Sequence, residues 1–163
     1  MNKENILIFN FEANKPPVFK EERGKDYIVY GTEAPWKNLY PDYLVELYNT
    51  SGKHNSIING KTNYISGRGW KVDQTVRTLQ DKVKLENFIN NPGNDSLFEL
   101  TKKIVKDNEL YGGYALEVIV TKDGKGLIIN HIDFGYIRVG VEEDTYFYTD
   151  DWASRKPTSN EDF

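Results

Sequence analysis

The side chains that most often carry catalysis or bind metal ions are few in this chain of 163 residues. It has no cysteine and two histidines, His54 in a predicted helix and His131 in a predicted strand. A zinc or other transition-metal centre needs several ligands at a recognisable spacing, and neither histidine has such neighbours in the sequence. We therefore interpret both histidines as structural or surface residues.

Four charged residues near one predicted helix-to-strand junction are of the types found in magnesium-dependent nucleases, in which acidic side chains lie close to a lysine. They are Asp107, Glu109, Glu117 and Lys122. The strand lacks a carboxylate two residues before a lysine, so a metal-dependent enzyme is the weaker interpretation. The acidic loop 142–144 lacks the ligand series of an EF-hand and is interpreted as a solvated turn.

Two further catalytic or binding motifs are absent from the sequence. Gly67, Arg68 and Gly69 do not fit the G-x-x-x-x-G-K-[ST] spacing that wraps backbone amides around phosphate, and they follow a predicted helix instead of preceding one. No G-x-S-x-G nucleophile elbow is present. The sequence therefore predicts no catalytic, cofactor-binding or metal-binding residues, and a protein that is not an enzyme.

The overall charge argues against a protein that wraps nucleic acid. The formal net charge is -4 and the isoelectric point is about 5.3, whereas phosphate binding needs a concentrated footprint of lysine and arginine. Lysines in the predicted helices have acidic neighbours, which is typical of solvated helix faces. Any contact with DNA is expected to be non-adhesive.

The composition favours a globular domain that works within an assembly. Aromatic residues make up 13% of the chain, and the mean hydropathy of -0.66 is polar for a domain that stands alone. Trp36, Trp70 and Trp152 lie in connections, where a large ring either packs over a core edge or contacts a partner. No apolar run reaches the length of a signal sequence or a membrane span, so no membrane partner is expected.

Apolar residues that recur with a period near 3.6 predict helices across the middle of the chain. The first predicted helix is 41–50. The second ends at Gly67 and carries on one face Ile57, Ile58, Lys61, Tyr64 and Ile65. The third runs from Thr78 to the stop signal at 90–93, and the fourth from Ser96 to Leu110. Ser96 and Glu99 form a capping box, and Thr78 and Asp81 form a weaker one.

After Gly112 and Gly113 the apolar period changes from 3.6 to 2, which predicts strands. The predicted strands are 114–120, 127–132, 136–139 and 145–149, with earlier short runs at 5–11 and 27–30. We predict an α+β fold with short N-terminal strands, several helices and then an antiparallel β-meander over residues 114–149, packed by the helices. The fourth helix is expected to pack on this sheet and to bury Leu100, Ile104, Leu116 and Val118.

Changes in pattern along the chain predict three segments. Residues 1–40 are expected to form an extended N-terminal arm with short strands, and residues 41–150 the α+β domain. Residues 151–163 are expected to be a flexible polar tail and a truncation point, because no apolar period follows Trp152.

Two stretches together resemble the portal proteins of tailed bacteriophages. Residues 41–70, PDYLVELYNTSGKHNSIINGKTNYISGRGW, are similar to the portal pattern of a helix, a Ser-x-x-His-like turn, a helix with small and polar residues, and a Gly-x-Gly-aromatic exit. Residues 97–120, LFELTKKIVKDNELYGGYALEVIV, resemble the portal helix with its Asp, the Tyr-Gly-Gly break and the strand with Ala-Leu-Glu. Residues 126–139, GLIINHIDFGYIRV, are similar to the family strand that carries a His, an Asp or Pro, and an Arg.

The resemblance implies an N-terminal portion of the wing region of a portal protein, a structural subunit of the ring at the capsid vertex. Portal proteins are longer, so stem, clip and crown elements would follow residue 163. The resemblance also implies that the full-length protein associates with itself in a ring of about twelve subunits. It implies terminase, capsid and head-completion proteins as partners, double-stranded DNA passing through the ring without tight binding, and a location in the virion and, during assembly, the host cytoplasm.

Two other interpretations remain open from the sequence. One is an independent protein-interaction module that shares the pattern by chance, which the aromatic composition also allows. The other is a metal-dependent phage enzyme. An open reading frame that continues beyond Phe163 beside a terminase gene would favour the portal interpretation.

Overall fold

The computed structural model describes residues 21–32, 34–73, 75, 78–122, 124 and 126–160. Their helices are α1 (Tyr40–Thr50), α2 (Gly52–Ser66), α3 (Leu79–Asn90) and α4 (Leu97–Tyr111). Their strands are β1 (Glu21–Arg23), β2 (Ile28–Tyr30), β3 (Ala115–Val120), β4 (Leu127–Ile132), β5 (Ile137–Val139), β6 (Tyr146–Tyr148) and β7 (Thr158–Ser159). The helices and small antiparallel sheets confirm the predicted α+β class. The strand predicted at residues 5–11 lies outside the described residues.

Local capping bonds determine where α3 and α4 begin, as the sequence predicts. The Ser96 hydroxyl accepts a hydrogen bond from the backbone N–H of Glu99, and the Thr78 hydroxyl accepts one from that of Asp81. Helix α4 ends at Gly112, whose φ of 81° lies in the left-handed region that favours glycine. This glycine lets the chain leave the helix and enter β3.

Helices α2 and α4 pack against each other at the centre of the helical part. The buried residues of α2 are Ile58, Thr62 and Ser66, spaced four residues apart. The apolar face predicted for α2 is therefore only partly correct, because three of its larger members are exposed: Ile57, Tyr64 and Ile65. Two of the three buried residues have small side chains, which allow two helix backbones to approach closely.

The strands form three small antiparallel sheets in the described part of the chain, namely β1–β2, β3–β4 and β5–β6–β7. The strands predicted as one meander over 114–149 are thus divided between two sheets. The division falls at a 3-10 turn, Phe134–Tyr136, where the Asp133 carboxylate accepts a hydrogen bond of 2.8 Å from the Gly135 N–H. This turn redirects the backbone, and β5 then pairs with β6 instead of β4.

The packing of α4 on the strands is less extensive than predicted. Leu100 is buried as expected, and Ile104 and Leu116 are half-buried. The prediction that Val118 is buried is wrong, because its side chain is 56% exposed. Helix α4 contacts β4 and the turn after it, while the outer end of the β3–β4 hairpin extends beyond the helices.

Residues at both ends of the described chain hydrogen-bond to the antiparallel sheet β5–β6–β7 or to the loop beside it. In the predicted arm, Tyr27 forms a β-bridge with Gly140, and Asp26 accepts a backbone hydrogen bond from Val141. In the predicted tail, β7 pairs with β6. Both ends therefore join the region around β5 and β6, because the backbone groups of these short strands find their partners there.

Candidate functional site

The outer end of the β3–β4 hairpin exposes apolar side chains on both faces. We call this set the hairpin surface; it consists of Val118, Ile119, Val120, Leu127 and Ile128. Successive strand residues point to opposite faces, so Val118 and Val120 lie on one face and Ile119 on the other. The register places Leu127 opposite Val120 and Ile128 opposite Ile119. Both faces of this end are therefore apolar and incompletely covered by the described chain.

The hairpin surface is unusual because its apolar residues are contiguous. Single exposed hydrophobic residues are common on monomeric proteins, but contiguous patches mark contacts with other molecules. A two-stranded hairpin is also marginally stable in water unless another strand or a helix covers it. The hairpin surface is thus a candidate site of protein–protein contact.

Helix α3 carries a second exposed apolar surface, since none of its residues is buried. Leu79 is 79% exposed, and Val83 and Leu85 are also exposed. Phe88 and Ile89, which the sequence places in the same apolar stripe as Leu85, are half-buried. Helix α3 therefore uses its C-terminal part to contact the domain and leaves apolar residues of its N-terminal part in solvent.

The interior of the described chain is small and contains much polar material. Its buried apolar side chains are Tyr30, Pro41, Ile58, Pro92 and Leu100. Its buried polar residues are more numerous: Asn38, Thr62, Ser66, Asp107, Arg138 and Thr149. Buried polar groups must be hydrogen-bonded to be tolerated, so specific polar contacts do much to determine the fold here.

Arg138, on β5, is completely buried and joins segments that are distant in the sequence. Its Nε and Nη2 donate to the side-chain and backbone oxygens of Asn38 at 2.9 and 2.7 Å. Its Nη1 donates to the carbonyl oxygens of Gly135 and Ile137 at 2.9 and 2.8 Å. The guanidinium also lies over two aromatic rings, 5.0 Å from the ring centroid of Tyr30 and 4.5 Å from that of Trp152.

Hydrogen bonds and aromatic rings replace the water that Arg138 loses when its charged side chain is buried. Burial lowers the pKa of Arg138 to about 10, so the side chain remains charged at neutral pH. Asn38 has a φ of 58°, a left-handed conformation that asparagine adopts more readily than most residues. In this conformation both oxygens of Asn38 accept hydrogen bonds from Arg138. We therefore interpret Arg138 as a structural residue that connects β5 to the segments around Asn38 and Trp152.

A second buried polar cluster connects α4 to the end of β4. Asp107 Oδ2 lies 2.8 Å from His131 Nε2 and accepts a hydrogen bond of 3.2 Å from the Phe134 N–H. The Tyr111 hydroxyl donates to Asp133 Oδ1 at 3.2 Å. Burial and the nearby carboxylate of Asp133 raise the pKa of Tyr111, which keeps its hydroxyl protonated. The cluster borders a cavity of about 240 Å³.

The pair of His131 and Asp107 has the geometry in which a carboxylate orients a histidine base. Such a base acts on a nucleophile within hydrogen-bonding distance, and no hydroxyl of the described residues is hydrogen-bonded to His131. The pair instead connects a helix to a strand. His131 is therefore part of the contact between α4 and β4.

The other acidic residues considered for a nuclease site do not converge with Asp107. Glu109 forms an ion pair with Lys61 of α2, and Glu117 accepts a hydrogen bond of 2.8 Å from Asn130. Lys122 is exposed beyond the end of β3. Among the described residues, no group of three histidine or acidic side chains could hold a metal ion.

The three tryptophans occupy different environments. The Trp36 ring packs against Tyr43, with 5.2 Å between centroids, and the Trp152 ring packs against Tyr27 at 5.1 Å. Trp70 is 56% exposed, although its indole N–H donates to the Thr101 hydroxyl at 2.8 Å. Two tryptophans thus pack over the edge of the domain, and Trp70 adds to its exposed apolar surface.

Comparison with known proteins gives no relative. No family model matches the chain, and no significantly similar curated protein or solved structure was found. Within the described residues, no helix has the length and apolar character of a membrane span.

Sequence reasoning did not find the contacts that surround Arg138. An arginine between Ile137 and Val139 in a short strand suggests a solvent-facing side chain by alternation. The structure reverses this orientation, because β5 is 3 residues long and its arginine points inward. The sequence singled out Arg138 only as the arginine of the portal-like strand pattern, and that pattern does not indicate that Asn38 and Trp152 are its partners.

Proposed function

We propose that this chain is part of a structural, non-enzymatic subunit of a tailed-phage portal ring. The ring forms a conduit at the capsid vertex for DNA packaging and ejection and connects the head to the tail. The observation that carries the proposal is the hairpin surface, which is apolar on both faces. A subunit of a closed assembly needs such surfaces for its neighbours.

The small interior supports an assembly role. The buried hydrophobic residues of the described chain are few, while apolar side chains remain exposed on the hairpin, on α3 and at Trp70. Exposed apolar patches and unpaired strand edges cause non-specific aggregation unless a partner covers them. In a protein that assembles with copies of itself, the neighbouring copies cover both the apolar patches and the unpaired strand edges.

The portal-like patterns support this particular assembly. The aspartate of the helix pattern, Asp107, contacts the histidine of the strand pattern, His131. Tyr111, from the Tyr-Gly-Gly break, contacts Asp133 of the same strand pattern. The arginine that ends the pattern, Arg138, is buried at the centre of its own set of contacts. Residues on which the resemblance depends therefore contact each other and stabilise one fold.

The proposed partners follow from the portal interpretation. They are other copies of the chain in a ring of about twelve, together with terminase, capsid and head-completion proteins. Double-stranded DNA passes through the ring, and the net charge of -4 suits a conduit that does not hold it tightly. The proposed location is the virion, and the host cytoplasm during assembly.

The hairpin surface also favours a second candidate, an independent protein-interaction module. Such a module would bind a different protein through the same apolar residues and would not form a ring. Self-assembly of the complete gene product therefore distinguishes the two candidates.

Light scattering coupled to size exclusion tests the proposal on the complete gene product. We expect the mass of a ring, and a large reduction in mass when Val118 and Val120 are both replaced by aspartate. Replacement of Lys53 and Lys156, which are exposed and lie outside the apolar surfaces, by aspartate is the control and should leave the assembly intact. A monomeric wild-type protein under all conditions would contradict the portal proposal.

A further inference from the structure

Two surfaces of the described chain carry opposite charges beside exposed apolar side chains. No aspartate or glutamate occurs in residues 47–72, and no lysine or arginine occurs in residues 139–154. The first stretch contains α2, and the second contains β6 and the loop that joins β5 to it. Each stretch therefore gives its part of the surface one sign of charge.

The basic surface lies at the C-terminal end of α2 and in the connection that follows. It consists of exposed residues: Tyr64, Ile65, Arg68, Trp70 and Lys71. Arg68 and Lys71 form no ion pair with any described residue. This surface thus combines two cations with three exposed apolar or aromatic side chains.

The acidic surface is the outer face of the β5–β6 pair together with the loop between the two strands. It consists of exposed residues: Val139, Glu142, Glu143, Asp144, Tyr146 and Tyr148. Val139 lies opposite Tyr146, and Tyr148 is two residues further along β6, so the three side chains share one face. The other face of the pair carries buried Arg138 and Phe147, whose ring packs against Tyr27 with 5.4 Å between centroids. The three acidic residues form no ion pair with any described residue.

We propose that the basic surface of one copy of this chain binds the acidic surface of a neighbouring copy. This inference rests on the proposed ring, because the two surfaces are different and share no residue. A contact between two different surfaces is heterologous, and such contacts repeated around an axis generate a closed ring. The proposal adds to the hairpin surface a contact whose two sides both lie on the described chain.

Charge complementarity identifies a second copy as the occupant of both surfaces. Opposite potentials steer two partners together and fix their orientation, whereas like charges that face each other oppose association. The Arg68 guanidinium can bind a carboxylate of the loop 142–144 through two parallel hydrogen bonds. Both surfaces also present aromatic rings, which are enriched at the centres of protein interfaces.

A nucleic acid is a poorer match for the basic surface. Backbone phosphates are bound by a concentrated set of lysines and arginines. The basic surface offers two cations, and its apolar side chains have no complement on a phosphate backbone. The acidic surface of another copy supplies both a carboxylate loop and an apolar face.

Charge exchange between the two surfaces tests the contact on the complete gene product. The first variant carries Arg68→Glu and Lys71→Glu, so that both of its surfaces are acidic. The second carries Glu142→Lys and Glu143→Lys, which reverses the acidic surface and leaves the basic surface unchanged. Self-association is measured by sedimentation velocity for each variant alone and for an equimolar mixture of the two.

The matched control carries Lys53→Glu and Lys156→Glu, which change the net charge as much as the first variant does. Both lysines are exposed and lie outside the two surfaces. Lys53 is on α2, about 17 Å from Tyr64 at the rise of an α-helix. Urea denaturation of every variant checks that the fold is unchanged, as expected for substitutions of exposed side chains.

We expect each reversed variant alone to associate at least about tenfold more weakly than the wild type and the control, because like charges then face each other. The equimolar mixture should associate about as strongly as the wild type, because the acidic surfaces of one variant then meet the basic surfaces of the other.

Wild-type association of the two reversed variants alone would overturn the proposal. A mixture that associates no more strongly than its components would also overturn it, because the two surfaces would then have other partners. A first variant that assembles normally but binds duplex DNA more weakly than the wild type would assign the basic surface to nucleic acid and refute the contact between copies.

The outcome can be separated from that of the proposed function. Closed rings that both reversed variants still form would leave the portal proposal standing and refute this contact. Recovery in the mixture, for a gene product that forms small oligomers or open filaments, would support this contact and contradict the portal proposal.

Discussion

Replacing Arg138 by alanine is expected to destabilise the domain strongly. The side chain is completely buried and donates hydrogen bonds to four oxygen atoms. These belong to Asn38, which supplies two, and to the backbone carbonyls of Gly135 and Ile137. The guanidinium also lies over the rings of Tyr30 and Trp152, so its removal leaves a gap beside both rings.

The magnitude follows from the oxygens that lose a donor; Asn38 Oδ1 keeps a second donor, the backbone N–H of Tyr30 at 3.3 Å. Each buried acceptor without a partner costs about 1–3 kcal/mol. Water that enters the gap can satisfy some of these oxygens, and removal of a buried charge recovers part of its desolvation cost. The net loss is expected to be about 3–5 kcal/mol, at or above the upper end of the ~0.5–3 kcal/mol that most single substitutions cost. That is a large fraction of the 5–15 kcal/mol typical of a folded domain.

Urea denaturation followed by circular dichroism measures the effect. Arg155→Ala is the matched control, because Arg155 is exposed and pairs with Asp150 at the surface. Its loss should cost at most about 1 kcal/mol. The loss of stability in Arg138→Lys should lie between those of Arg138→Ala and Arg155→Ala, because an ammonium group cannot make the paired hydrogen bonds of a planar guanidinium. Equal midpoints for Arg138→Ala and Arg155→Ala would refute the structural role assigned to Arg138.

Three further predictions concern the core, the pH dependence and DNA. Leu100→Ala should cost about 2–5 kcal/mol in urea denaturation and exposed Leu79→Ala less than about 0.5; similar losses would contradict the packing. Hydrogen bonds from Ser154 and Ala153 lower the pKa of Asp151, so its stabilising contribution is lost as the pH falls through that lowered value. Asp151→Asn should therefore lose less stability on acidification than wild type, and identical pH profiles would oppose this. Fluorescence anisotropy should show no submicromolar binding to duplex DNA at physiological salt, and such binding would contradict the non-adhesive conduit.

Helix and strand positions could be predicted where local signals determine them. Ser96 and Thr78 begin their helices through bonds to residues three positions later, which a sequence shows directly. The strand predicted at 127–132 coincides with β4, since a loop and a turn bound it on both sides. Contacts between distant segments carry no such signal. The bonds between Arg138 and Asn38, 100 residues apart, therefore became visible only in the structure.

For the hairpin surface, the sequence shows the apolar residues but not what covers them. Val118, Ile119 and Val120 form a continuous apolar run, a pattern typical of a strand covered on both faces. We predicted that Val118 is buried, yet it is exposed in the described chain. The sequence thus indicates a covering element that the described residues do not supply. This disagreement is what we expect if a neighbouring subunit covers the hairpin.

Electron microscopy of the complete gene product tests the central claim most directly, because individual particles show both closure and subunit number. The portal proposal predicts closed rings of about twelve subunits around a central channel. Particles that are only monomers, or open filaments without a channel, would contradict it.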